Sequence, residues 1–343
     1  GSGPLKAWLR FDQGRIVDVL VKTFTEAIDL RLGSGRLGLR SLSVEALARM
    51  DEARTLTIIP RRLSAVDANG FAFALDEQAD QRVAIDLDSL LPVSGQLAWR
   101  GFDAGRLLDA LRRVSLPEPW PARLAQIGAS GRINGAGLRW ERGGERYSVT
   151  LGFERLSVRR IERRGAPAAR WPSFANLSGV AEFDDRSGQV RLDSTGAVLR
   201  LPGMLAEASI PLASVAGTLG WQVGLDDAPG TDSALELHAA GLTFANADLS
   251  GSLSGRWRNT GRSERGEIDL AGALSRANPG RVAAYLPSVV DAGVRAWVAR
   301  AVGASGQTET RFRLKGDLAD FPFRNPAQGE FRIETQLEQA ALT

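Results

Sequence analysis

Cysteine is absent from this 343-residue sequence, and histidine occurs once, methionine twice and tyrosine twice. A chain without cysteine forms no disulfide, no thiol nucleophile and no cysteine-ligated zinc site. Its single histidine, His238, has no second imidazole beside it for a metal shell or a catalytic triad. No run of 18 uncharged apolar residues occurs, so the sequence predicts no transmembrane helix.

Lysine is also scarce: Lys6, Lys22 and Lys315 are the only lysines among the 43 basic residues. The chain has 40 acidic residues, so its formal net charge is +3. The arginines are spread along the whole chain, whereas a nucleic-acid-binding domain would cluster its positive charge. The densest run, residues 155–164, holds five arginines and one glutamate. This run is either a phosphate-binding patch or the solvated face of a strand, and its charge pattern favours the strand.

Alternation of apolar and polar residues is the dominant pattern. In residues 5–11, the apolar residues at 5, 7, 9 and 11 alternate with Lys6, Trp8 and Arg10. The strictest alternation spans residues 249–257. Each such run predicts a strand with one apolar and one wet face, and sustained alternation favours antiparallel pairing. Because turn sequences such as Asp-Asp-Arg-Ser-Gly separate the runs, we expect roughly twenty strands.

Few helices are expected. Asp103 is a candidate N-cap for a helix that runs to Val114, before two prolines. A short helix is predicted over residues 43–50. A pair of helices is predicted within residues 276–303, where apolar residues follow helical spacing.

The polar candidates for chemistry have structural interpretations. Alternation places His238 on the wet face of a strand, and the pairs Asp184-Asp185 and Asp226-Asp227 fall in strand–turn contexts. The glycine-rich segment 128–137 lacks the Lys-Ser or Lys-Thr of a phosphate-binding loop. The sequence therefore predicts no catalytic residue, no cofactor, no metal site and no enzyme.

The informative feature is the large number of strands with one apolar face, since the few predicted helices cannot cover all of these faces. Two folds solve this problem: a β-sandwich that buries the faces against each other, or one long curled sheet whose apolar face lines a groove. A groove without polar specificity groups suits lipid acyl chains. Its candidate lining residues are Leu177, Phe183, Val190, Leu192, Leu235, Leu237, Phe244, Leu249, Leu253, Trp257, Ile268, Leu270, Phe312 and Leu314. Gly251 and Gly255 flank Leu253 on the same face, and we expect them to leave room for an acyl chain.

Motifs in the second half of the chain are typical of one protein family. They begin at residues 171–179 (Trp-Pro-Ser-Phe-Ala-Asn-Leu-Ser-Gly), and the most specific ones span residues 281–323. These include Tyr285-Leu286-Pro287, then Trp297-Val298, then Gly316-Asp317-Leu318 with Asp320-Phe321-Pro322-Phe323. On these residues the chain resembles the YhdP group of the AsmA-like family of bacterial envelope proteins, which includes TamB. The resemblance covers about residues 170–343. Residues 4–170 share with the family only a pattern of alternating strands with short helices.

The resemblance implies a fold, a function and a location. Family members form a long U-shaped antiparallel sheet, sometimes called a β-taco, with an apolar groove. They are implicated in moving phospholipid from the inner to the outer membrane of Gram-negative bacteria. The resemblance implies a periplasmic location, an inner-membrane anchor outside the present sequence, and phospholipid with other envelope proteins as partners.

The expected organisation is a tag remnant at residues 1–3 and a β-groove in two parts, residues 4–170 and 171–343, cut from a longer chain. Two other functions stay open at this point. One is a structural or adhesive β-sandwich or β-helix of the envelope without lipid cargo, and the other is an enzyme that acts on envelope glycans.

Overall fold

The computed structural model describes residues 3–32, 35–50, 54–113, 120–161, 172–203, 207–224, 234–259, 263, 265–278, 281, 284–285, 293, 295, 310–321, 323 and 325–335. Its strands are β1 (Leu5–Asp12), β2 (Arg15–Leu32), β3 (Gly35–Met50), β4 (Thr55–Asp67), β5 (Ala72–Ala74), β6 (Arg82–Asp86), β7 (Pro92–Asp103), β8 (Ile127–Glu141), β9 (Arg146–Arg160), β10 (Ser173–Asp184), β11 (Ser187–Arg200), β12 (Ser209–Val223), β13 (Leu235–Ala245), β14 (Leu249–Asn259), β15 (Glu267–Ala277), β16 (Thr310–Asp317) and β17 (Gly329–Thr335). The helices are α1 (Ala104–Leu111) and α2 (Trp120–Leu124), with a 3₁₀ turn at Arg142–Gly144.

The strands form one long open antiparallel sheet in which consecutive strands pair, as short turns between alternating runs dictate. The short strands β5 and β6 both pair with β4 at different points, and β6 also pairs with β7, so the sheet continues through β6. The predicted fold class, mainly β with a long antiparallel sheet and a few short helices, is confirmed. In the described part of the chain the sheet has 17 strands, against the roughly twenty expected.

The chain divides into two compact units. The first comprises residues 1–156 with 181–185, and the second comprises residues 157–180 with 186–343. The expected division near residue 170 falls within residues 162–171, outside the described residues, and it stays a prediction.

In the first unit, strands β1 to β4 separate apolar from charged residues by register. Val21 lies opposite Ala7 on β1 and Ala46 on β3, which forms an apolar row. The next residue, Lys22, faces the other side and pairs with Glu45 at 3.0 Å. Asp18 is flanked across the strands by Arg10 and Arg49, with 2.7 Å between Arg49 Nε and Asp18 Oδ1. Alternation therefore places the ion pairs on one face of these strands, where they flank Trp8 and Leu20, and the row of Val21 on the other face.

A small core forms where α1 lies against β7 and β8. The predicted N-cap is confirmed: Asp103 accepts a hydrogen bond from the Arg106 backbone N–H at 2.8 Å. Leu108 is buried, as is Phe71, whose ring meets Phe102 edge to face at 6.5 Å. The helix ends at Leu111, and the predicted continuation to Val114 falls partly outside the described residues.

One local expectation was wrong. Residues 43–50 were predicted to form a helix, but they lie in β3, paired with β2 on one side and β4 on the other. The glycine-rich segment 128–137, which lacks the signature of a phosphate-binding loop, lies inside β8. The hairpin predicted at residues 184–188 is confirmed, since β10 ends at Asp184 and β11 begins at Ser187.

In the second unit, β11 to β17 form a meander with irregular points in several strands. The register between β12 and β13 shifts between Ala216 and Thr218, and the skipped Gly217 has a φ of 131° that side-chain-bearing residues rarely adopt. A bulge of this kind bends the strand locally. Of the helices predicted within residues 276–303, Arg281, Ala284, Tyr285, Gly293 and Arg295 are described and have helical backbone, and β15 runs to Ala277 before them.

Candidate functional site

The register of β11 to β17 places apolar side chains in rows that cross the strands. In one row, Leu219 on β12 lies opposite Val190 on β11 and Ala239 on β13. The same row continues through Gly255, Leu270, Leu314 and Phe331 on β14 to β17. Directly opposed residues of antiparallel strands point to the same side of a sheet. The row is therefore one continuous apolar strip across seven strands.

Three further rows run beside this strip on the same face. Their members are Trp221, Leu237, Trp257, Ile268 and Gly316; Leu242, Leu253, Gly272, Phe312 and Ile333; and Val215, Phe244, Gly251 and Leu274. We call the four rows the apolar face. None of these residues is charged.

The apolar face is only partly covered. Leu237, Phe331 and Ile333 each remain 44% exposed, and no large side chain among the described residues is fully buried. A close-packed core would instead bury most of its large side chains completely. In the described residues, the second unit therefore presents a broad apolar surface that its own side chains do not fill.

The opposite face of the same strands is charged. Arg256 and Asp269 lie opposite each other on β14 and β15, and Asp269 lies opposite Lys315 on β16. Arg313 is paired with Asp269 at 2.6 Å. His238 lies on this charged face opposite Arg256 and is exposed, as its place in the alternation predicts.

The register brings together twelve of the fourteen predicted groove residues. Nine of them lie in the four rows, and Leu192, Leu235 and Leu249 lie on the same side of β11, β13 and β14. Leu177 and Phe183 lie on β10 and are partly buried. Whether any of the fourteen contacts lipid stays a prediction.

The two glycines beside Leu253 have a different role from the one expected. A side chain on Gly251 would collide with the backbone oxygen of Ala273, and one on Gly255 with that of Asp269. Glycine is thus required at both positions because β15 comes close to β14. The expectation that these glycines leave room for an acyl chain was wrong, since a neighbouring backbone occupies that space.

One end of the apolar face carries aromatic rings. Trp221 and Trp257 lie in the row that also holds Leu237, Ile268 and Gly316, and the Trp257 indole N–H donates to the Arg265 carbonyl at 2.9 Å. Phe323 reaches the same row from the connection between β16 and β17, and only 8% of it is exposed. Its neighbour Phe321 packs on Phe323 and on Phe331, with ring centroids 5.6 and 5.5 Å apart.

The other end of the same strands carries a network of polar side chains, which we call the polar clasp. The Tyr285 hydroxyl donates to Asp248 Oδ2 at 2.8 Å and accepts from Asn246 Nδ2 at 3.0 Å. Arg281 bridges Asp248, at 3.2 Å, and Glu207, which lies just before β12. The tyrosine of the Tyr-Leu-Pro motif and Arg281 thus both bind the turn between β13 and β14.

The clasp perturbs the acidity of its members. The hydrogen bond from Tyr285 lowers the pKa of Asp248 below its usual value against the opposing effect of burial, and Arg281 lowers it further. Burial raises the pKa of Tyr285, and the hydrogen bond to Asp248 adds to this rise. Sequence reasoning missed Asp248 and Asn246 because they lie 37 and 39 residues from Tyr285 along the chain.

We expect Tyr285→Phe to lower the free energy of unfolding by about 1–2 kcal/mol, because Asp248 and Asn246 lose a partly buried hydrogen-bond partner. Asp248 has a lowered folded pKa, so its contribution to stability is present above the unfolded value of about 4 and is lost as the pH falls. The variant should therefore lose less stability on acidification than the parent. Thermal unfolding of both proteins from neutral pH to about pH 3 measures this difference. Equal acid sensitivity of the two would show that the tyrosine does not act on Asp248.

The remaining polar candidates that the structure describes lie apart from one another and form no common site. Asp184 and Asp185 lie at the hairpin between β10 and β11, and Asp226-Asp227 lies outside the described residues. Arg155, Arg159 and Arg160 are exposed on or at the end of β9, which fits the strand interpretation of that run. Within the described ranges, no three acidic or histidine side chains come close enough together to hold a metal ion. Nor do these ranges contain a helix of the length and apolarity needed to span a membrane.

Comparison with known proteins identifies the family. A protein-family model described as YhdP protein matches residues 1–343. The chain belongs to the YhdP family. Membership extends over the whole chain, including residues 4–170, where the motifs alone gave only a resemblance in style. No curated protein and no solved structure gives a significant match to this YhdP-family chain.

Proposed function

We propose that this chain is a segment of a lipid-transport protein that holds phospholipid acyl chains on its apolar face. The observation that carries the proposal is the face itself: four uncharged rows across β11 to β17, partly exposed, backed by a charged face on the same strands. YhdP-family membership is consistent with this function. In the proposed role, the chain conducts lipid between the inner and outer membranes of a Gram-negative bacterium.

The size of the apolar face supports a ligand. Six spacings of about 4.8 Å across the seven strands and about seven residues of about 3.3 Å along each strand give roughly 700 Å². Soluble monomers rarely leave contiguous apolar patches beyond a few hundred Å² uncovered, because water around such a patch is costly. An occupant that is itself apolar removes this cost.

The chemistry of the rows favours acyl chains over other apolar ligands. Aliphatic and aromatic side chains follow one another from strand to strand without a charged group to fix a polar ligand. A flexible hydrocarbon can follow such a surface in many positions, which is what a conducting path requires. We therefore assign binding to the hydrocarbon part of the lipid and no catalytic step to the protein.

The proposal includes the cellular setting that the family suggests. The chain would lie in the periplasm as part of a longer protein anchored in the inner membrane, with a U-shaped groove formed by the sheet. Its partners would be phospholipid and other envelope proteins.

We expect the purified 343-residue chain to carry phospholipid from the cells that produced it. Native mass spectrometry and lipid extraction of the folded protein measure this directly. His238→Ala is the matched control, because His238 lies on the charged face and its loss should leave the lipid content unchanged. A folded chain that is consistently free of lipid would instead favour the structural or adhesive β-domain.

A further inference from the structure

From the placement of Phe321 and Phe323, we infer that these rings form an end wall of the apolar face and set the acyl length that it accepts. The inference rests on the proposed function and deepens it, since it concerns which lipids the same face takes. Its basis is a buried aromatic ring that the β16–β17 connection folds back over the strands.

Two glycines provide the space that the Phe323 ring occupies. Gly316 and Gly329 lie directly opposite each other on β16 and β17, on the side that bears Leu314 and Phe331. A methyl group on Gly316 would lie 2.8 Å from Phe323 Cε1, and one on Gly329 would lie 2.6 Å from the same ring. The ring therefore rests on the backbone at the end of the row that holds Trp257, Ile268 and Gly316, which is one edge of the apolar face.

The connection is held in this position by several bonds. Asp317 Oδ1 accepts from Ser263 Oγ at 2.6 Å and from the Ala319 N–H at 2.8 Å, while the Leu318 N–H donates to the Gly266 carbonyl at 3.0 Å. The Phe323 N–H donates to the Asp320 carbonyl at 2.8 Å. Phe323 itself has a φ of 54°, a left-handed conformation that a phenylalanine rarely adopts. The strain is tolerated where it directs the ring onto the glycine pair.

The wall continues along the row. Ile268 lies opposite Gly316 on one side and Trp257 on the other, and the Trp257 indole is fixed by its bond to Arg265. An acyl chain that lies along β14 to β17 therefore meets bulky side chains at this end. We assign Phe323 as the residue that determines specificity for chain length, and Phe321 as the residue that positions it.

The test compares the chain-length preference of the parent with that of Phe323→Ala. Each purified, delipidated 343-residue chain is offered saturated phosphatidylethanolamines that differ only in acyl length, and the bound lipid is quantified by mass spectrometry. In the parent, affinity should stop rising at a limiting length. In Phe323→Ala the limit should move to longer chains, with about a fourfold gain in affinity for each methylene that enters the opened space.

Controls separate the wall from general effects of losing a ring. Phe24→Ala removes an equally large ring that is 47% exposed on β2 in the first unit, and its length profile should match that of the parent. Phe323→Leu keeps apolar bulk at the wall and should shift the limit less, so it carries the test if the alanine variant does not fold.

The outcomes are distinct. Unchanged profiles in the folded Phe323 variants, or an equal shift in Phe24→Ala, would overturn the wall while leaving lipid binding in place. A parent chain that binds none of the phosphatidylethanolamines would overturn the proposed function, and the wall with it.

Discussion

Leu253→Asp should weaken lipid binding about 100-fold while leaving the chain folded. Leu253 lies on the apolar face, opposite Leu242 on β13 and Gly272 on β15, and it is only partly buried. A carboxylate at this point can reach water when no lipid is bound, so its cost in stability should be about 1–2 kcal/mol. With lipid bound, the carboxylate would lie against hydrocarbon.

The expected loss of binding is large. An unpaired charge in apolar surroundings costs several kcal/mol, and each 1.4 kcal/mol corresponds to a factor of ten, so affinity for phospholipid should fall about 100-fold. Thermal unfolding and quantification of bound lipid, measured on the same preparation, give both effects. Ser252→Asp is the matched control, because it introduces the same side chain one residue away on the opposite face of β14.

The two variants distinguish an open face from a closed core. If Leu253→Asp unfolds the chain while Ser252→Asp does not, Leu253 lies in a dry core and the sandwich alternative gains support. If Leu253→Asp is folded and binds as much lipid as the parent, Leu253 lies outside the lipid path.

The faces of the strands were predictable because they depend on local alternation. In β14, the apolar residues at 249, 253 and 257 lie on one side, and Ser252 and Ser254 lie on the other. Side chains alternate strictly along a strand. Once the face of one residue is known, the faces of all the remaining residues follow, up to the next bulge. The wet position of His238 follows from the same rule.

Tertiary pairing overrode local preference in β3. Residues 43–50 contain leucine, alanine and glutamate, which favour a helix in isolation. In the fold, Ala46 lies in the apolar row opposite Val21, Val44 lies on the same face opposite Leu63 on β4, and Glu45 pairs with Lys22. Hydrogen bonds to strands on both sides outweigh a propensity of a few tenths of a kcal/mol per residue, about the size that such scales give.

The roles of the motif residues were not predictable, since their partners are distant in sequence. The sequence shows that Tyr285 and Phe323 belong to motifs, but not that one binds Asp248 and the other covers Gly316. Gly251 and Gly255 illustrate the same limit. Glycine is required at these positions because the backbone of β15 lies too close to allow a side chain.

Asp67→Ala should destabilise the first unit by about 2–4 kcal/mol, because it leaves buried hydrogen-bond donors without an acceptor. The Asp67 side chain is 5% exposed. Its Oδ1 accepts from the backbone N–H groups of Asn69 at 2.8 Å and Phe71 at 2.7 Å. Its Oδ2 is paired with Arg113, just beyond α1, at 3.2 Å.

The position of this carboxylate explains the size of the effect. The turn that it holds places Phe71 against Phe102, and Arg106 from α1 donates to the Gly70 carbonyl of the same turn at 3.2 Å. Losing Asp67 therefore loosens both the turn and the attachment of the helix end. Thermal unfolding followed by near-ultraviolet circular dichroism reports this loss through the aromatic rings.

The same residue predicts a dependence on pH. Burial would raise the pKa of Asp67, but the N–H groups of Phe71 and Asn69, together with Arg113, hold it below the usual value. Because the folded pKa is lowered, the stabilisation is present above the unfolded value of about 4 and is lost as the pH falls through the folded pKa. Lowering the pH should therefore reduce the free energy of unfolding of the parent more than that of Asp67→Asn.

Asp67→Asn separates the hydrogen bonds from the charge. Its amide oxygen can still accept from the two backbone N–H groups, while the ion pair with Arg113 is lost, so the cost should be about 1–2 kcal/mol, less than that of alanine. Asp109→Asn on α1 is the control, because Asp109 is 58% exposed beside Arg112 and its change should stay within about 0.5 kcal/mol. Equal stabilities of Asp67→Ala and Asp109→Asn would contradict the role of Asp67, since only a buried acceptor can account for the difference between them.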